Sequence, residues 1–163
     1  MFEVLITDQM LQNAQQKAEE MGRLNNSITE GAGNFAGFLG EAIVADTLKA
    51  ELVNTYDYDL IYYDNLKIDV KTKRTDVTPK PYYECTVADF NTSQQCDWYM
   101  FTRISNSLLK GWILGFLPKK YFYQKAVFYH KGDVDLSNHF IFKADCYNIK
   151  IEDLFPISDL LKG

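Results

Sequence analysis

Residues 66–73 read Leu-Lys-Ile-Asp-Val-Lys-Thr-Lys, and this alternation constrains the fold more than any other segment. Successive side chains of a strand point to opposite faces, so Leu66, Ile68 and Val70 form an apolar face while Lys67, Asp69, Lys71 and Lys73 line the other with charge. A central strand of a covered sheet carries apolar residues on both faces, so a row of charges there needs a physical reason. Residues 58–63 are strand-like as well, and the turn dipeptide Asp64-Asn65 separates the two runs, which predicts a hairpin. An odd loop, for example residues 64–66, turns Asp59 to the side of Asp69 and Lys71; an even loop turns it to the opposite face.

Upstream the period is helical. Met10, Leu11, Ala14, Ala18 and Met21 recur at three-and-four spacing, which predicts an amphipathic helix over 7–21 that Gly22 ends. Ser27 and Glu30 form a capping box, from which a second helix can run to about residue 51. Glycines 31, 33, 37 and 40 weaken its first half, so tertiary packing holds it or its start lies nearer Asn34. Those small residues also permit close backbone approach. Residues 1–6 are too short to assign. Downstream, strands are expected at 82–87, 97–104, 111–117, 127–130 and 139–142, with a short helix opened by Pro118 and another near 151–155. Helices first and a mixed sheet after them predict an α/β or α+β layer architecture, with helices covering a sheet.

The 163 residues, 47% of them apolar, suit one domain rather than two. The longest apolar run, near 111–117, is far short of the roughly 20 residues that span a bilayer, and residues 1–6 hold no basic cluster, so the expected location is the cytoplasm, away from membranes. Cys85, Cys96 and Cys146 form no Cys-x-x-Cys pair and fit a reducing compartment. His130 and His139 lie near only one of them, which argues against structural zinc. No Gly-x-Ser-x-Gly occurs, so serine-nucleophile chemistry has little support.

The net charge of −5 conceals a strong asymmetry. Residues 1–64 carry three basic and eleven acidic side chains, whereas residues 98–132 carry six basic ones (Arg103, Lys110, Lys119, Lys120, Lys125 and Lys131) and no acidic one. Such a stretch is either a solvated face or a locally positive surface suited to a phosphate backbone.

Glu41 adds a carboxylate from the second helix. Its neighbours at three and four positions are Gly37, Phe38, Val44 and Ala45, which place it on or beside the packing face. Burying it unpaired costs on the order of several kcal/mol, which a cation, a lysine or a water network would relieve. Where Asp59 and Asp69 converge, each raises the pKa of the other unless a cation sits between them, and oxygen-only ligands select a hard ion such as Mg²⁺. Lys71 stands beside that position, placed to hold or polarise a water or a phosphate oxygen.

At these residues the chain resembles the PD-(D/E)xK nucleases, the restriction-endonuclease-like superfamily. The resemblance rests on Gly37-Phe-Leu-Gly-Glu41, on Tyr56-Asp-Tyr-Asp59 and on Ile68-Asp-Val-Lys71-Thr72-Lys73, within residues 34–104, and residues 96–101 look like the following core strand. It implies a single restriction-endonuclease-like domain over residues 1–163, a mixed β-sheet core flanked by helices. It also implies metal binding by Asp59, Asp69 and the Val70 carbonyl, with Glu41 binding metal directly or through water and Lys71 orienting the attacking water. The implied activity is Mg²⁺-dependent endonucleolytic hydrolysis of DNA, with Mn²⁺ substituting. The motif's proline is absent, Tyr58 standing before Asp59; Asp57 is an alternative metal ligand; and Asp69 replaces the commoner Glu. Lys73 and Arg74 are candidate phosphate contacts, and Gln95 with Tyr99 has the Gln-x-x-x-Tyr spacing that one branch of these nucleases uses on DNA. The small size suits a homodimer or a chain working with a partner, and the motif in so small and acidic a chain suggests a phage or mobile-element origin. The competing readings are a non-catalytic nucleic-acid-binding or assembly module on the same fold, and a nuclease acting on RNA.

Overall fold

The alternating segment forms the longest strand of a mixed sheet. The computed structural model describes residues 1–24 and 34–162. In chain order the elements are β1 (Phe2–Leu5), α1 (Asp8–Leu24), α2 (Phe35–Leu48), β2 (Glu51–Leu52), β3 (Leu60–Tyr62), β4 (Leu66–Thr75), β5 (Glu84–Ala88), β6 (Trp98–Ser105), β7 (Lys110–Pro118), α3 (Lys119–Lys125), β8 (Val127–Tyr129) and β9 (Cys146–Lys150). Six strands form one sheet in the order β1-β7-β6-β4-β3-β2, in which β4 and β6 run parallel and the other neighbours antiparallel. The other three form an antiparallel sheet, β5-β9-β8. The architecture is mixed α/β.

Each face of the six-stranded sheet has its own apolar layer. On one face Leu39, Ile43 and Val44 of α2 and Ala14 of α1 pack on Ile68 and Val70 of β4 and on Met100, Ile104 and Ile113. On the other, Tyr99, Phe101, Trp112 and Leu114 meet Cys85 and Val87 of β5, Ile149 of β9 and Phe122 of α3. This double covering explains why Asp69 of β4 is buried rather than in open solvent.

The hairpin takes the odd loop. Leu60 pairs with Ile68 and Tyr62 with Leu66, leaving residues 63–65 as the connection. Asp64 and Asn65 adopt φ of 51° and 63°, a left-handed turn these residue types tolerate, closed by the Leu66 N–H on the Tyr63 carbonyl (3.1 Å).

Several local expectations need correction. Residues 2–5 form β1, an antiparallel partner of β7. Helix α1 starts where the Thr7 hydroxyl accepts from the Met10 N–H (3.2 Å), and it continues past Gly22 to Leu24. The Ser27–Glu30 capping box falls outside the described residues. Helix α2 begins after Asn34 and ends at Leu48, short of residue 51, because Lys49 turns left-handed (φ 55°). Residues 139–142 make only an isolated bridge, Val134 to Ile141, and residues 151–155 hold a single 3₁₀ turn, Ile151–Asp153. Among the described residues no helix is long and apolar enough to cross a membrane.

Candidate active site

Close packing of α2 against the sheet sets the depth of the site. A Cβ on Gly40 would stand 2.6 Å from Thr102 Oγ1 and closer still to Thr72 Oγ1, so only glycine lets the helix backbone rest on β4 and β6 at this point. The next residue is Glu41, whose carboxylate is carried into the interior and left 8% exposed.

Asp59 reaches the same region from the segment before β3. Its N–H donates to the Ile68 carbonyl (2.9 Å), and its Oδ2 accepts from the Val70 N–H (2.7 Å), in the place a longer β3 would have occupied. Its carbonyl accepts from the Val53 and Asn54 N–H groups, which folds residues 53–59 back over the sheet edge. Asn54, at φ 48°, orients its amide so that Nδ2 donates to Glu41 Oε2 (2.5 Å) and Oδ1 accepts from Lys17 Nζ (2.8 Å).

On β4, Asp69 is 3% exposed. Its Oδ1 accepts from Gln94 Nε2 (3.2 Å), and Lys71 Nζ lies 2.7 Å from its Oδ2, an ion-pair contact whose direction leaves that buried oxygen without a hydrogen bond of its own. Lys71 also donates to Gln94 Oε1 (3.1 Å), and Gln94 Nε2 donates to the Tyr56 carbonyl (2.8 Å). One glutamine side chain thus ties the acid, the lysine and the loop before β3 together.

The electrostatics follow from burial and crowding. Burial foremost, then the Asp59 charge, raises the Glu41 pKa to about 8 against the pull of Lys17. Burial and then Asp69 raise Asp59 to about 7, although the Val70 N–H, Lys71 and Lys17 oppose the rise. Burial also holds Asp69 above its ordinary value despite Lys71 and Gln94. Three acids raised by burial, two of them also by a neighbouring carboxylate, are a site that gains by taking up a cation.

The other sequence candidates are more scattered. Asp57 accepts from the Gln95 N–H (3.0 Å), so it braces the loop before β6, while Asp59 stands beside Asp69. The Gln95 side chain turns to the Ser93 carbonyl and is exposed; its neighbour Gln94 occupies the site. Arg74 is exposed near the end of β4, and Lys73 points toward β5, where its Nζ donates to Thr86 Oγ1 (2.6 Å). Tyr99 is buried, its hydroxyl bonded to that of Tyr123. Of the basic segment, Lys119 approaches Asp69 and donates to the Thr92 and Gln94 carbonyls, while Lys110 pairs with Glu3 (3.5 Å) at the β1 edge. Gln94, Lys17 and Asn54 escaped the sequence reading, and Lys119 figured in it only as part of the basic stretch; only the adjacency of Gln94 to Gln95 hinted at the first.

An all-oxygen set of acids, in which Asp69 Oδ2 has only the Lys71 ion-pair contact, fits a hard divalent ion. Among the described residues, no three His, Cys, Asp or Glu side chains converge tightly enough to hold a metal by themselves, so backbone and water oxygens would complete its shell. No family model and no curated protein matches this chain.

Proposed function

We propose that the chain is a metal-dependent endonuclease on a restriction-endonuclease-like variant of the α/β architecture, hydrolysing phosphodiester bonds of DNA with Mg²⁺, or Mn²⁺ in its place. The observation that carries the reading is that Glu41, Asp59 and Asp69, drawn from a helix, a loop and a strand, are buried within one another's electrostatic reach, with Lys71 Nζ 2.7 Å from Asp69. The fold reading draws support from the β3–β4 hairpin, the following strand β6 parallel to β4, and the helix that delivers Glu41.

In this reading Asp59, Asp69 and the Val70 carbonyl hold the ion, with Glu41 alongside. A bound divalent ion lowers the pKa of a coordinated water and offsets charge developing on the phosphate. Lys71, anchored between Asp69 and Gln94, orients the attacking water and meets a phosphate oxygen with its remaining N–H. Two copies acting together would cut both strands of a duplex.

The test is cleavage of supercoiled, linear, branched and single-stranded DNA and of RNA, with Mg²⁺, with Mn²⁺ and with chelator, by the parent, Lys71→Ala and Asp69→Asn. Cutting by the parent that both substitutions and the chelator abolish is expected. The Lys71 ammonium 2.7 Å from Asp69 Oδ2, which offsets one of the acids without a metal, favours a second reading, a nucleic-acid-binding or assembly module without turnover. DNA binding by the parent without metal uptake or cutting would establish that second reading and refute the first.

A further inference from the structure

Beyond Lys71 the polar face of β4 opens into a pocket of about 120 Å³ between β4, β5 and β6, separate from the three carboxylates. Lys71, Lys73, Glu84, Thr86 and Arg103 line it. Lys73 Nζ donates to Thr86 Oγ1 (2.6 Å) and to the Glu84 carbonyl (3.2 Å), and Arg103 Nη2 donates to that same carbonyl (3.1 Å). The Arg103 guanidinium lies 5.2 Å over the Tyr83 ring, which fixes its plane. Among the described residues neither Lys73 nor Arg103 makes an ion pair. Arg103 Nε is buried with no acceptor at all.

Two cations share one carbonyl oxygen here, and a buried guanidinium N–H is left unmet. Burial, followed by the charge of Arg103, holds the Lys73 pKa below its ordinary value. The Glu84 carboxylate, itself raised by burial and then by Asp135, is the opposing charge in the lining. A guanidinium beside an ammonium with a spare N–H, both lining one pocket, is a donor set for a tetrahedral oxyanion, and 120 Å³ has room for one.

We propose that this pocket seats a single phosphate group of the nucleic-acid strand whose neighbouring bond lies at Asp69 and Lys71, an inference that rests on the nuclease reading above. The seated group is either a strand terminus or an internal phosphate; both present the same oxygens to Lys73 and Arg103.

The experiment uses the full chain in chelator, so that binding is read without cutting. Fluorescence anisotropy follows single-stranded DNA bearing a 5′-phosphate, a 3′-phosphate or neither, in competition with inorganic phosphate, for the parent, Lys73→Gln, Arg103→Gln and Glu84→Gln. Lys73→Gln is expected to weaken binding by about tenfold, the value of one charge-assisted hydrogen bond. Glu84→Gln is expected to tighten it, and inorganic phosphate to compete with the parent. A parental preference for one phosphorylated end that Lys73→Gln removes would identify a terminal group; equal weakening on all three DNAs would identify an internal one. The inference is overturned if phosphate does not compete and Lys73→Gln binds all three as the parent does, or if Glu84→Gln weakens binding as Lys73→Gln does. Phosphate-dependent binding in a protein that never cuts would instead refute the nuclease reading alone.

Discussion

Gly40→Ala sets two physical effects against each other, and the structure decides between them. In a helix interior alanine is better than glycine by about 1 kcal/mol, so propensity alone predicts a more stable protein. The new methyl, however, would sit 2.6 Å from Thr102 Oγ1 and nearer still to Thr72 Oγ1. Neither hydroxyl is a free end: both belong to β-branched residues of paired strands, and they bond each other at 2.8 Å. Ordinary contact is about 3.5 Å, so α2 must lift by about 1 Å, at an overpacking cost of about 1–3 kcal/mol. The net expectation is a loss of about 1 kcal/mol in urea unfolding followed by Trp98 and Trp112 fluorescence. Because Glu41 rides on the next residue, the same shift is expected to lower cutting by about a hundredfold, the usual effect of a 1 Å misplacement. Thr72→Ala removes the nearest obstacle, so the double variant should be less destabilised than the two singles combined. A Gly40→Ala protein as stable as the parent, with unchanged cutting, would refute the close-packing argument.

Metal-free stability should fall as pH rises from about 5 to 7. The folded protein keeps the Glu41 proton up to about 8, whereas the ordinary value is 4.5, so the folded state binds more protons across that window. Each excess proton gives a slope of about 1.4 kcal/mol per pH unit. Glu41→Gln should make the profile shallower and leave the slope from Asp59, which is raised to about 7, and added Mg²⁺ should raise Tm most at the alkaline end; a flat parental profile would contradict the crowded-acid description. Gln94→Ala removes the partner of Asp69 Oδ1, of Lys71 and of the Tyr56 carbonyl. It should cost about 1–3 kcal/mol in urea unfolding and reduce cutting, whereas Gln95→Ala, at an exposed side chain, should leave stability unchanged.

The hairpin and the strand 97–104 were legible because apolar alternation and turn chemistry are local signals, whereas β1, a sheet strand ahead of both helices, was too short to read. The side on which Asp59 stands was not: it depends on a one-residue difference in the loop, which only the pairing of Tyr62 with Leu66 settles. Strand β9 was hidden because its centre holds Asn148, a poor strand former, kept there by Thr86 Oγ1 (2.5 Å). Lys17 reads as one more charge on the solvent side of α1, yet its ammonium lies 5.9 Å over the Phe38 ring and 2.8 Å from the Asn54 amide oxygen. Contacts between segments distant in sequence leave no periodic trace, and most of the site's second layer is made of them.

The eight-residue parallel pairing of β4 with β6, from Ile68 opposite Trp98 to Thr75 opposite Ser105, also bears on how the molecule is made. Partners some thirty residues apart must find each other before any ladder bond rewards the loop closed between them, so this seam should form late. A slip of one residue would be self-defeating, since it would drive Asp69 and Lys71 into the layer beneath α2 and turn Ile68 and Val70 toward β5. Gln94 lies in the chain that must close this loop, so a nascent or partly folded molecule holds the acids without the arrangement that joins them. On the nuclease reading, chemical competence therefore arrives with the last large step of folding, and a chain that stalls before it should not cut.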